Sequence, residues 1–107
     1  MKRLILIAAA ATAALAFGNT VSAQDGAKLY ADKTCNACHG PTGNKALMPD
    51  YPKIAGQNKA YIVKQMQDIK SGARANGNSA AMKGVMHLVS DKEIEIIADW
   101  VSKQKPQ

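Results

Sequence analysis

An all-α fold follows from three features of this 107-residue chain. Ile62, Met66 and Ile69 recur at i, i+4 and i+7, and Ile94, Ile97, Ala98 and Val101 form a second apolar stripe at helical spacing. No stretch alternates apolar and polar residues as a half-buried strand does. Between the periodic stretches, glycines and prolines cluster as they do in loops.

Residues 1–23 read as a cleaved secretory signal peptide. Met1-Lys2-Arg3 is basic, Leu4 to Phe17 is apolar, and Val21-Ser22-Ala23 puts small residues where a signal peptidase reads. Cleavage is expected after Ala23, leaving Gln24 first. The fourteen residues from Leu4 to Phe17 fall short of the roughly twenty needed to span a bilayer, so a retained anchor is disfavoured. No cysteine follows the cleavage site to carry a lipid. Residues 24–107 are expected to form one exported domain without stable membrane insertion.

Within that domain, a first helix is expected over Gly26 to Thr34 with Asp25 as its N-cap, presenting Leu29 and Tyr30. Gly40 to Gln57, with Gly40, Pro41, Gly43, Pro49, Pro52 and Gly56, is a loop. Lys59 to Ser71 is helical and Gly72 suits its C′ position. Gly72 to Val89 reads as irregular because of Gly72, Gly77, Gly84 and Asn76-Gly77-Asn78. Ser90-Asp91-Lys92-Glu93 matches a capping box and starts the last helix, with Trp100 beside its apolar stripe.

The stretch that carries chemistry is Cys35-Asn36-Ala37-Cys38-His39. Two thiols one helical turn apart can form thioethers to the two vinyl groups of one haem, and the adjacent His39 then lies beneath the iron as an axial ligand. Three other uses of the pair fit less well. A thioredoxin-like disulfide sits in a βαβ context, which is missing here. A zinc site needs four ligands, and no second Cys or His pair follows. A structural disulfide would enclose only two residues. The chain has no further cysteines, so one covalent haem c is the expected cofactor. Such a group also supplies an apolar centre, which 84 residues with few aromatics build poorly.

The composition excludes other classes. Lys and Arg total 14 against 8 Asp and Glu, and the mature domain keeps a side-chain charge of +4 once Lys2 and Arg3 are removed. Lys28, Lys45, Lys59, Lys70, Lys83 and Lys103 are scattered, so no nucleic-acid patch is expected. An ordinary solvated surface accounts for them, with weak steering toward acidic redox partners as the functional alternative. No carboxylate stands beside a second reactive group, so no catalytic pair is visible.

The opposite axial position could be filled by Met48, Met66, Met82, Met86 or His87. Met66 belongs to an apolar helix face, and Met48 follows His39 by only nine residues, within the proximal loop. Met82 and Met86 lie in the segment before the last helix, where the chain can cover the other haem face. A His87 ligand would give a bis-His iron. Spacing alone does not separate Met82 from Met86.

The mature sequence resembles the class I monohaem c-type cytochromes, of the cytochrome c-553 type and the single-haem halves of the dihaem cytochrome c-4 type. The resemblance runs nearly end to end. It includes Asp-Gly-Ala-Lys-Leu-Tyr at 25–30, Cys-Asn-Ala-Cys-His-Gly at 35–40 and Pro-Lys-Ile-Ala-Gly-Gln at 52–57. Tyr61, the stretch Gln65 to Gly72 and Ser90 to Ile94 continue it.

The resemblance implies a small class I cytochrome c fold of three to four short helices, with the N- and C-terminal helices crossing where Gly26 and Tyr30 meet Ile97 and Trp100. It implies a ligand methionine eight residues before the capping Ser90, which is Met82, with Met86 second. Because Met86-His87 lies in the same loop, a variant lacking Met82 could swap ligands. It also implies a proline carbonyl that orients His39, for which Pro52 is first and Pro49 second; the bland alternative is that both only stiffen the loop. Tyr61 either bonds near a haem propionate or packs.

The implied function is electron transfer in the periplasm, not enzymatic catalysis, with iron cycling between ferric and ferrous states under His39 and Met82. The expected donor is a quinol-oxidising membrane complex. Expected acceptors are a terminal oxidase, a peroxidase or a nitrogen-oxide reductase, met by a monomer or weak dimer. A haem-based gas sensor, a small peroxidase with an open sixth site, and a subunit of a larger complex are the alternatives.

Overall fold

Every regular element among residues 23–106, the range described by the computed structural model, is a helix. The expected signal peptide lies outside that range except for Ala23. Helix α1 spans Ala23–Asp32, α2 Cys35–His39, α3 Lys59–Ser71, α4 Ser79–Met86 and α5 Asp91–Ser102. The all-α expectation therefore holds among the described residues, and none of these helices is long and apolar enough to cross a membrane.

Two element boundaries differ from the sequence reading. Helix α1 starts before Asp25, which falls in its first turn rather than at its N-cap; a carboxylate there complements the helix dipole. The same helix stops at Asp32, and Thr34 takes a left-handed backbone (φ 63°) that turns the chain into α2.

The second difference is larger. Residues 79–86, expected to be irregular, form α4. Gly72 and Gly77 do occupy positive-φ turns, but Gly84 does not, and Ala80 and Ala81 favour the helix. Because the motif also coils into α2, the described residues form five helices instead of three or four.

Local chemistry explains the best-defined ends. The Asn58 side chain accepts from Tyr61 N at 3.1 Å to start α3, and left-handed Gly72 ends it by donating its N–H to Asp68 and Ile69 carbonyls. At α5 the capping box closes both ways: Glu93 N donates to Ser90 Oγ (3.2 Å) and Ser90 N donates to Glu93 Oε1 (2.9 Å).

Packing follows from the apolar stripes. Helix α5 presents Ile94, Ile97, Ala98 and Val101, all buried, between α1 and α3. Where α1 meets α5, a Cβ on Gly26 would overlap Trp100 Cβ and lie 3.1 Å from the Ile96 carbonyl, so the close approach needs glycine. Tyr30 stacks obliquely on Trp100, with ring centroids 4.9 Å apart. The terminal helices thus meet through the residues expected. The long loop after α2 is tied down by its backbone: Leu47 N donates to Cys38 O, Ile54 N to Gly43 O, and Gly56 N to Val101 O at the end of α5.

Candidate functional site

Helix α2 is too short to be stable alone, and its neighbours hold it. Tyr30, buried in α1, donates its hydroxyl to the Gly40 carbonyl at 2.6 Å, fixing the residue that follows His39. Gly40 sits at φ 88°, and a Cβ there would overlap the Lys45 carbonyl oxygen. The turn after the motif is therefore built for glycine.

Cys35 and Cys38 are both free thiols, half-buried and one turn apart on α2. Burial pushes the Cys35 thiol up to about 11, with Cys38 adding to the rise. A disulfide oxidoreductase needs the opposite, a thiol lowered toward neutrality.

His39 is buried, and its Nδ1 lies 2.9 Å from the Pro52 carbonyl. A carbonyl only accepts, so Nδ1 must carry the proton, and the Nε2 lone pair of the neutral ring is left free for a metal. Burial holds the His39 pKa below its ordinary value, and the Pro52 hydrogen bond opposes this in part. The ring is accordingly neutral at pH 7. Pro49 is exposed and makes no such bond to His39.

Cys35, His39, Pro52 and Met82 all line one cavity of about 170 Å³. Its walls are largely apolar, built from Tyr30, Ile54, Ile62, Met66, Ile69, Ile97 and Val101, and Lys53, Gln57, Tyr61, Gln65 and Arg74 add polar groups. Cys38 is not among the lining residues. Of the other ligand candidates, Met86 is 1% exposed and packed into the core, His87 is exposed at the end of α4, and Met48 is 47% exposed on the loop. None of these three lines the cavity, whereas Met66 does so as part of its core face.

The sequence reading did not single out Arg74, Gln65 or Lys53. The available signal was that Arg74 is the sole arginine in residues 24–107.

These groups suit haem c. Two thiols one turn apart match two vinyl groups, a neutral imidazole with a free nitrogen and a thioether are both iron ligands, and an apolar cavity suits a flat hydrophobic ring.

Comparison with known proteins agrees. The Cytochrome c family profile matches residues 23–105. The chain is 41% identical over 78 residues to cytochrome c4 of Azotobacter vinelandii, covering 67% of this chain and 37% of that one. It is 36% identical over 104 residues to cytochrome c-553 of Nitratidesulfovibrio vulgaris (strain Miyazaki F), covering 96% of this chain and 99% of that one. The chain therefore spans little over a third of its cytochrome c4 relatives and nearly the whole of the cytochrome c-553. Among solved structures, reduced recombinant cytochrome c4 from Pseudomonas stutzeri superposes with a TM-score of 0.68 at 33% identity, over 78% of this chain and 48% of that chain. Motif, fold and relatives agree: the chain belongs to the cytochrome c family, and its cofactor is haem c.

Proposed function

We propose that the protein is a periplasmic electron carrier in which Cys35 and Cys38 hold one haem c and His39 and Met82 bind its iron. The observation that carries the ligand assignment is that Met82 shares a cavity with His39, while Met86 is packed in the core and His87 and Met48 face solvent. The protein transfers electrons and is not an enzyme.

Bound haem supplies one-electron exchange between ferric and ferrous iron. The chain's own residues do the rest. The Cys35 and Cys38 sulfurs tether the ring to α2. Pro52 O holds the His39 proton on Nδ1 and orients Nε2. The Met82 thioether, a soft donor, would favour ferrous iron and raise the potential of the bound group. The walls from Ile54, Ile62, Ile69 and Val101 exclude water. His39 and Met82 would hold the group in both oxidation states, so little rearrangement of the chain would accompany transfer.

Residues 1–23 serve as the export signal and 24–107 as the cytochrome domain. Brief, small interfaces suit its redox partners. These are a quinol-oxidising complex as donor and a terminal oxidase, peroxidase or nitrogen-oxide reductase as acceptor, met by a monomer or weak dimer.

The test is an absorption spectrum of the matured holoprotein, oxidised, reduced, and reduced under carbon monoxide, beside Met82→Ala. A sulfur-to-ferric-iron band that vanishes in the variant, with no carbon monoxide shift in the wild type, is expected. A wild type that binds carbon monoxide at once would overturn the closed-site reading and put the sensor or peroxidase in its place.

A further inference from the structure

Met82 stands midway along a helix face that is held at both ends. Asn78, Met82 and Met86 follow one another at four-residue steps, so each lies one turn from the next along α4. Met86 is buried in the core and anchors the far end. The near end is tied differently. Asn78 occupies the N-cap position, yet its side chain gives α4 no capping bond; its Nδ2 donates instead to Asp50 Oδ2 at 2.5 Å.

Asp50 belongs to the loop after α2, in a turn where Tyr51 N donates to Met48 O at 3.0 Å. Two residues further on, the Pro52 carbonyl takes the His39 ring N–H. One hydrogen bond thus joins the loop that orients His39 to the helix that carries Met82. Among the described hydrogen bonds, it is the only one leading from residues 78–86 to a distant part of the chain. The choice of partner matters too. Asp32, Asp68, Asp91, Glu93, Glu95 and Asp99 each face a lysine, whose flexible stem reaches over a range of positions. Asp50 faces an amide on an equally short side chain, and such a pair bonds only at close contact. Both residues are exposed, so the bond competes with water and breaks at modest cost.

We propose that Asp50 and Asn78 form a latch that positions Met82. Closed, it keeps the thioether in the cavity shared with His39. Open, α4 pivots about Met86 and the thioether withdraws. The proposal rests on Met82 as the sixth ligand. It makes Asp50 and Asn78 positioning residues that act through α4 and set how readily an outside ligand replaces Met82.

The test is the rate at which imidazole displaces the thioether in the ferric holoprotein, followed by stopped flow as loss of the sulfur–iron band. At saturating imidazole that rate reports the release of Met82. Asn78→Ala and Asp50→Ala should each raise it about three- to tenfold, the worth of one solvent-exposed hydrogen bond. The double alanine variant should be no faster than either single one, since both remove the same bond. Asn78→Asp alone sets two carboxylates against each other and should also raise the rate. Adding Asp50→Asn to it restores the pair with donor and acceptor exchanged, and should bring the rate back toward wild type. A bond that only stabilises the fold would lower the denaturation midpoint and leave the limiting rate unchanged. An unchanged rate in the alanine variants, additive effects in the double variant, or an exchanged pair no slower than Asn78→Asp would each overturn the proposal. Should the alanine variants fail to mature, Asn78→Asp and the exchanged pair still decide. Failure of the ligand assignment reads out separately, as a wild type without the sulfur band or a Met82→Ala variant that keeps it.

Discussion

His39 sits on a short helix whose surroundings are stitched by hydrogen bonds, whereas Met82 sits on a helix held mostly by packing. Around His39, the Pro52 carbonyl takes the ring N–H, Tyr30 bonds Gly40, and Leu47 N bonds Cys38 O. Around Met82, the Asn78 side chain makes no capping bond at the start of α4, and Gly84 lies within the helix with open space where a side chain would be. What secures α4 is Met86, one turn beyond Met82 and buried in the core. Directional bonds thus fix one proposed ligand, and a neighbouring core residue places the other. The thioether side should be the more exchangeable of the two.

The largest break in that comparison is His39→Ala. It should abolish the low-spin six-coordinate spectrum, and an unchanged spectrum would mean that another residue serves in its place. Next is the contrast between Met86→Ala and Met82→Leu. Removing the buried Met86 side chain should lower stability by about 2–5 kcal/mol in denaturant unfolding while the sulfur–iron band persists. Met82→Leu should remove the band and admit carbon monoxide at a smaller cost in stability. The reverse pattern would hand the iron to Met86. Ligand exchange to Met86 in a variant lacking Met82 requires pulling a core residue out, so it should be slow and should cost stability.

Both sides rest on the crossing of α1 and α5. Gly26→Val should therefore destabilise by about 1–3 kcal/mol through overlap with Trp100, with the spectrum unaltered until unfolding. Retention of full stability would mean that the crossing gives way freely. The smallest effect belongs to the cap of α5, far from the ligands in kind: Ser90→Ala should cost about 1 kcal/mol.

The same cap has a pH signature. The Ser90 N–H, aided by Lys33, holds the Glu93 carboxyl below the usual range despite some burial. A carboxylate lowered on folding stabilises above its ordinary pKa of about 4.3 and loses that contribution as pH falls through the lowered value. The stability gap between wild type and Glu93→Gln should therefore close in acid; a gap constant from pH 7 to 3 would refute it.

What could be read early and what could not divides by range of interaction. The capping box, the α3 stripe and the terminal Gly26–Trp100 crossing were visible, the last through resemblance. Helix α4 was not, because three glycines within fifteen residues mimic a loop, and only packing of Met86 and Val89 shows which of them is tolerated in a helix. The start of α1 lies three residues before the expected Gly26 because a carboxylate such as Asp25 serves equally at a cap or in a first turn. Arg74 was overlooked because nothing in its immediate neighbours announces a cavity.

By itself, the sequence determined the haem-binding motif, the all-α class, both ends of α3 and the start of α5, since these depend on residues three or four apart along one chain. Only the tertiary structure decided which of Met82 and Met86 shares a cavity with His39, which proline carbonyl meets its ring, and that the lone arginine of residues 24–107 lines that cavity. Met82 and Met86 lie on one face of one short helix, and the same spacing serves either; the difference between them is the neighbour each meets when α3, α4 and α5 pack.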